Sequence, residues 1–289
     1  MDIKIRAAWL SVASNIVLTV GKLIIGLMIG SVSVISEAIH SANDLLASFI
    51  ALFAVKKSDK PPDKEHPYGH GKIENIAGTI EALLIFIAAG FIISEAIEKL
   101  RHGGEIMEPG WGIFIMGISA LLNFIVSSYL LKVGKEQHSV ALEADGIHLR
   151  TDVYTSLGVF IGLLLIKITG YQIIDPIVAI LVALLIIKAA YDLTKKAFLP
   201  LMDTAADEDT LEVVTTVLGE FCESFIEYHD LRSRRAGRDI HIDLHMVVKP
   251  EMSIQEAHAL CDIIENRIQN EVIYSTVLIH VEPAVEMQS

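Results

Sequence analysis

Six long apolar runs constrain this chain more than any other feature. They lie at about 7–29, 32–55, 76–97, 111–133, 139–168 and 173–190. Most reach the roughly 20 residues needed to cross the hydrocarbon core of a bilayer. In lipid, each backbone N–H and C=O must be satisfied within its own segment, so runs of this length fold as helices. The expected fold is an α-helical membrane protein with a six-helix transmembrane bundle. Lys4 and Arg6 before the first run could imitate a secretion signal. Five more spans follow without a small-residue cleavage site, so the first run is read as a membrane helix. Lys4, Arg6, Lys56, Lys57, Lys60, Lys64, Lys72, Lys132, Lys135, Lys195 and Lys196 gather on one side of a six-span arrangement. Only Lys99, Arg101 and Lys167 flank the other. The excess of Lys and Arg on cytoplasmic loops then predicts that both termini are cytoplasmic.

The charge balance divides the chain. From Asp203 onward, acidic residues outnumber basic ones 18 to 6, whereas before it the two nearly cancel. This predicts a transmembrane domain over 1–203 and a cytoplasmic domain over 204–289. An acidic tail disfavours nucleic acid and anionic lipid as partners and is compatible with binding cations. Cys222 and Cys261 form no close pair and read as reduced thiols. Helical periodicity covers 207–221, and strands are expected at 226–233, 239–248 and 272–282. Ser253-Ile254-Gln255-Glu256 is a capping box that opens a helix to about 269. The resulting αββαβ order suggests a ferredoxin-like α/β module with one half trimmed.

Two stretches share the pattern I-H-x-x-x-D-x-x-x-S: 39–48, with His40 and Asp44, and 147–156, with His148 and Asp152. Residues four apart lie on one face of a helix, so each stretch aims one imidazole and one carboxylate the same way. Each pair alone is equally well read as a polar contact lining an aqueous cavity. Two such pairs on separate spans favour a shared His2Asp2 site, the donor set of tetrahedral Zn2+. Cd2+, Co2+ and Fe2+ are also compatible, an all-oxygen site would suit Mn2+ or Mg2+ better, and the lack of a thiolate argues against Cu(I).

Two further clusters contain metal donors. Asp63, His66 and His70 fall in a loop with Pro61, Pro62, Pro67 and Gly69, where a solvated turn is the simpler reading from spacing alone. The tail holds His229, His241, Asp243, His245, His258, His280 and Glu282. A polar sheet face explains some of these, but so many imidazoles and carboxylates together favour metal binding.

The motifs resemble the cation diffusion facilitators, a family of proton-coupled exporters of divalent transition metals. The resemblance is carried by His66-Pro67-Tyr68-Gly69-His70-Gly71-Lys72-Ile73-Glu74, by Pro200-Leu201-Met202-Asp203 and by Leu278-Ile279-His280-Val281-Glu282-Pro283. It implies a transport site on the second and fifth helices at His40, Asp44, His148 and Asp152. His40 departs from the Asp common in bacterial zinc exporters and resembles the His-Asp-His-Asp form of zinc-selective members. The resemblance also turns Asp63, His66 and His70 into a second, regulatory or coupling metal site. It assigns His229, Asp243, His258, His280 and Glu282 to a two-ion site at the dimer interface of the tail. Relatives often have His at the position matching Asp243, and His241 or His245 could replace or supplement it. Lys72 and Asp203, otherwise plain surface charges, match a charge interlock that holds the dimer.

The function expected from this reading is efflux of a divalent cation, Zn2+ foremost, from the cytoplasm across the inner or plasma membrane. The transporter is expected to be a homodimer with protons as counter-ion, and not an enzyme. An intramembrane metallohydrolase would need an open zinc position and a general base, and no H-E-x-x-H occurs. A metal sensor without transport is a further reading, as is the same transporter with Fe2+, Cd2+, Co2+ or Mn2+ as main cargo.

Overall fold

Each apolar run forms one helix in the computed structural model, which describes residues 2–30, 32–102, 111–171 and 173–284. These are α1 (Ile3–Ile29), α2 (Val32–Ser58), α3 (Lys72–His102), α4 (Trp111–Glu136), α5 (Val140–Thr169) and α6 (Ile174–Phe198). All six are long and apolar enough to cross a membrane. Their ends follow local chemistry. The Asp2 side chain accepts from the Lys4 N–H at the start of α1, and Ser139 accepts from the Leu142 N–H at the start of α5. Gly30 and Gly170 take left-handed conformations, φ 65° and 77°, to close α1 and α5. Five helices outrun the sequence reading: α1 begins at Ile3 rather than 7, α2 ends at Ser58 rather than 55, α3 spans Lys72–His102 rather than 76–97, α4 ends at Glu136 rather than 133 and α6 ends at Phe198 rather than 190. Hydropathy measures only the lipid-matched part, and charged turns carrying Lys72, Glu74, Lys195 and Lys196 continue beyond it.

α1 packs on α2, α4 on α5 and α3 on α6, while α5 also touches α2, α3 and α6. Two buried clusters result. Ala8, Val12, Leu52, Val126, Leu130, Leu142 and Leu149 join α1, α2, α4 and α5. Ala82, Ile85, Ala89, Ala144, Ile186 and Leu193 join α3, α5 and α6. Small residues let the backbones approach, as expected where packing rather than water exclusion drives association. Large apolar side chains such as Phe53, Phe91 and Leu121 face outward. In water that would be a defect, whereas in lipid it is the required surface.

At the end where α1, α3 and α5 begin, Lys4 is fully buried and pairs with Asp59 at 2.5 Å and Glu74 at 3.4 Å. Glu74 also accepts from Ser58 at 2.7 Å and Ser139 at 2.5 Å. One carboxylate thereby ties the ends of four helices.

The chain divides into two compact units, Met1–Phe198 and Leu199–Ser289. The second opens with a 3-10 turn, Leu199–Met202, then α7 (Glu208–Glu220), β1 (Glu227–Ala236), β2 (Asp239–Val248), α8 (Ile254–Glu271) and β3 (Ser275–Pro283). The αββαβ order read from the sequence is the order found. Positions 285–289 of the expected tail domain lie outside the described residues. The sheet runs β1-β2-β3, with β1 antiparallel and β3 parallel to β2. Ile240, Ile242, Leu244, Met246 and Val248 alternate along β2 and are all buried. They form the core with Val214, Val217 and Leu218 of α7 and Cys261, Ile264 and Ile268 of α8. Ser253 and Glu256 make the expected reciprocal capping box. Both cysteines are free, Cys222 exposed and Cys261 in the core.

Candidate metal centres

Because His40 and Asp44 share one face of α2, and His148 and Asp152 one face of α5, contact between these helices brings both pairs together. One donor atom each from His40, Asp44 and Asp152 lies within 4.8 Å of the others. His40 Nε2 is 4.0 Å from Asp44 Oδ1 and 3.8 Å from Asp152 Oδ1. His148 joins through Asp44, its Nε2 standing 3.3 Å from Oδ1. The side chain of Asp44 is 6% exposed and that of His148 12%, whereas that of His40 is 55% exposed.

The surroundings are polar, and most of them escaped the sequence reading. Asn123 on α4 donates from Nδ2 to Asp152 Oδ2 at 3.4 Å. One helical turn from the quartet, Ser48 donates to the Asp44 carbonyl at 3.1 Å and contacts Asp145 Oδ1 at 3.1 Å. Asn15 and Ser11 reach Ser48 at 2.6 and 3.0 Å. Lys22, buried on α1, donates to Ser41 at 2.9 Å. Glu81 on α3 is fully buried, and neither carboxyl oxygen has a hydrogen-bond partner among the described residues. The sequence signal for all of these was a polar residue within an apolar run, which says that a residue faces inward but not what it meets.

In the loop before α3, Asp63 organises the turn. It accepts from the backbone N–H groups of His66 at 2.7 Å and Glu65 at 3.0 Å. The His66 N–H chiefly holds the Asp63 carboxyl below its ordinary value near 3.8. Gly69 closes the loop at φ 84°, a conformation that favours glycine. His66 Nδ1 lies 3.2 Å from Asp63 Oδ1, and His70 Nε2 lies 3.3 Å from Oδ2. The buried His70 ring places Nδ1 3.4 Å from the Lys60 carbonyl, which leaves Nε2 facing Asp63. Donor atoms of all three lie within 4.8 Å of one another. Three ligands with an open fourth position suit a metal that keeps a water or a further ligand.

In the tail, strand register decides which donors meet. His229 of β1 pairs with His245 of β2, and His245 pairs with His280 of β3, so three imidazoles form a row across the sheet. The ring centroids are 5.2 and 4.8 Å apart along that row. Glu282 lies beside them, 2.9 Å from His245 Nδ1, 3.6 Å from His229 Nε2 and 3.8 Å from His280 Nε2. The resemblance gave the β2 position to Asp243, with His241 or His245 as its replacement or supplement. Asp243 instead stands opposite Arg232, and His245 holds the place beside Glu282. His258 is exposed on α8, 3.4 Å from Asp262, and contributes no donor to the cluster of His229, His245 and Glu282. Of the expected charge interlock, Lys72 opens α3 in the first unit. Asp203 follows the 3-10 turn in the second, where Arg234 lies 3.5 Å away.

Comparison with known proteins agrees over both units. Residues 8–202 match the cation efflux transmembrane domain family, and residues 206–284 match the cytoplasmic domain family of cation efflux proteins. The chain is 33% identical to a transporter of Methanocaldococcus jannaschii, over 94% of this chain and 96% of the relative. It is 31% identical to the manganese efflux system protein MneP of Bacillus subtilis, over 97% and 96% of the two chains. It is also 29% identical to the magnetosome protein MamB of Magnetospira, over 91% and 89%.

Proposed function

The chain belongs to the cation diffusion facilitator family of metal-cation efflux transporters, and on that premise we propose that it exports Zn2+ from the cytoplasm in exchange for protons. In this reading it works as a homodimer in the cell membrane with both termini cytoplasmic. The observation that carries the zinc assignment is the donor set of His40, Asp44, His148 and Asp152. Metal–ligand bonds of about 2.0–2.2 Å place tetrahedral donors roughly 3.3–3.6 Å apart. His148 and Asp44 already stand at 3.3 Å, and His40 lies 3.8 Å from Asp152 and 4.0 Å from Asp44, so these three pairs approach that spacing, while His148 must draw in toward the group of His40, Asp44 and Asp152 to complete four-fold coordination.

Ligating imidazoles and carboxylates must lose their protons, so metal and protons compete for the same groups. Metal captured from the cytoplasm displaces protons, and protons returning from the opposite side expel the metal. Moving a dication outward against a 100 mV potential costs about 4.6 kcal/mol, which inward proton movement offsets. Rocking of helices about a site at mid-membrane provides alternating access. We assign a regulatory ion to Asp63, His66 and His70. Tail ions are assigned to His229, His245, His280 and Glu282, with Asp243 and His258 as outlying donors, and these ions clamp two protomers together. Lys72 and Asp203 serve as the interlock of that dimer.

A second reading takes Mn2+ as the main cargo and is favoured by the manganese efflux relative. Purified protein in vesicles loaded with a metal-sensitive dye tests both. Zinc flux that follows an imposed proton gradient, and is lost in Asp152→Ala, supports the proposal. Flux of manganese with none of zinc overturns the cargo, and unimpaired zinc flux in Asp152→Ala overturns the site.

A further inference from the structure

We infer that Asn123 is a positioning residue that sets metal preference by keeping Asp152 a one-oxygen ligand. The inference rests on the proposed transport reading of the quartet. Asp152 Oδ1 points toward His40 at 3.8 Å, while Oδ2 is held by the Asn123 amide at 3.4 Å. The two oxygens of one carboxylate are therefore committed differently, one to the site and one to the neighbouring helix. The orientation of the amide is fixed by chemistry: turning it over would set its carbonyl against a carboxylate oxygen. Asn123 itself is 6% exposed, and its Oδ1 has no partner among the described residues. A buried amide that leaves its own oxygen unsatisfied is retained at a cost, and the interaction it keeps is the one with Asp152.

The consequence is coordination number. With Oδ2 engaged, Asp152 offers one oxygen, and the quartet supplies four donors in total. Four donors of N2O2 type suit Zn2+, whereas Mn2+ and Cd2+ accept larger shells richer in oxygen. Removing the amide frees Oδ2 to bind in bidentate fashion, so the site can expand. Zinc then loses its advantage and manganese gains. Loss of outer-shell partners of this kind typically weakens metal binding or activity by about 10- to 100-fold.

The test compares full-length wild-type protein with Asn123→Leu, Asn123→Ala and Asn123→Gln in vesicles. It measures KM and maximal rate for zinc and for manganese separately. A rise of about tenfold in the zinc KM, with the manganese KM unchanged or lower, is expected for the leucine and alanine variants. The glutamine variant, which keeps the amide, should retain zinc preference. Bound Co2+ provides a readout independent of transport. Its visible absorption is strong in four-coordinate sites and weak in six-coordinate ones, and the loop and tail contributions common to all proteins cancel in the difference spectrum. Loss of the four-coordinate bands in Asn123→Leu or Asn123→Ala supports the inference. An unchanged Co2+ spectrum, or zinc and manganese rates falling in equal proportion, overturns it. Wild-type vesicles that move neither metal overturn the transport reading instead, and the Co2+ spectrum still decides the role of Asn123.

Discussion

The Nδ1 atom of His245 lies 2.9 Å from Oε1 of Glu282, joining the middle strand of the tail sheet to its parallel neighbour. His229 and His280 flank the same imidazole on either side. His245 is therefore the hub of the tail cluster, and the expected ranking of variants is steep. His245→Ala should remove most of the zinc bound by the tail, while Asp243→Ala leaves it nearly intact. Calorimetric titration of the full-length protein with zinc, counting sites per protomer, separates the two. Equal losses in both variants would return Asp243 to the centre of the site.

That ranking also shows where the sequence stops informing. The alternation of Ile240, Ile242, Leu244, Met246 and Val248 with His241, Asp243 and His245 was legible, because strand periodicity depends only on neighbours along the chain. Which of the three polar residues meets His229 and His280 depends on register across strands. Register here includes an irregularity between His229 and Arg232 that no local pattern announces. The membrane quartet was readable for the opposite reason: two His-x-x-x-Asp repeats define two faces, and only their meeting had to be supplied. Asn123, Lys22 and Asp145 stayed unassigned because a polar residue in an apolar run says that it faces inward but not which neighbour it meets. Helix ends were misjudged at α1, α2, α3, α4 and most of all α6, since hydropathy reports depth in lipid and not the length of the helix.

The loop site carries a defined pH signature. Backbone N–H groups of His66 and Glu65 hold the Asp63 carboxyl below 3.8, so its folded value is depressed. Stability from these hydrogen bonds is fully present above the unfolded value and is lost as pH falls through the lower folded one. The turn around Asp63 should consequently survive mild acid. Hydrogen exchange at the His66 amide, followed from neutral pH down past 3.8, tests this. Loss of protection already above 3.8 contradicts it.

The buried Lys4 makes a second prediction about stability. Its side chain is 2% exposed, and its ammonium depends on Asp59 and Glu74 for compensation. Glu74→Ala leaves that charge underpaired, strips Ser139 of its acceptor and leaves Ser58 only the Val55 carbonyl at 3.1 Å. Breaking one side of a buried pair costs about 3 kcal/mol. The triple variant Lys4→Met, Asp59→Asn, Glu74→Gln should recover much of the loss, because all three charges of the cluster are removed together. Thermal unfolding in detergent measures both. A single variant as stable as the wild type would mean that water or lipid headgroups reach Lys4.

Glu81 leads to the opposite sign. Its carboxyl is fully enclosed among α3, α5 and α6, beside Ala82, Ile85 and Ala144, with Asp145 in electrostatic reach rather than a cation. Neither oxygen has a hydrogen-bond partner among the described residues. An enclosed polar group without a partner costs about 1–3 kcal/mol on the scale of protein mutational data. Glu81→Leu removes that cost and keeps a comparable volume, so the variant should unfold at a higher temperature than the wild type, by an amount corresponding to about 1–2 kcal/mol. Glu81→Gln keeps the shape and the polarity, so it should recover less of the gain. Melting curves of the three proteins in the same detergent give the order Leu above Gln above the natural Glu. A leucine variant less stable than the wild type would show that Glu81 is compensated by bound water within the bundle, and the enclosed carboxyl would then count as a hydrated site rather than a cost of the fold.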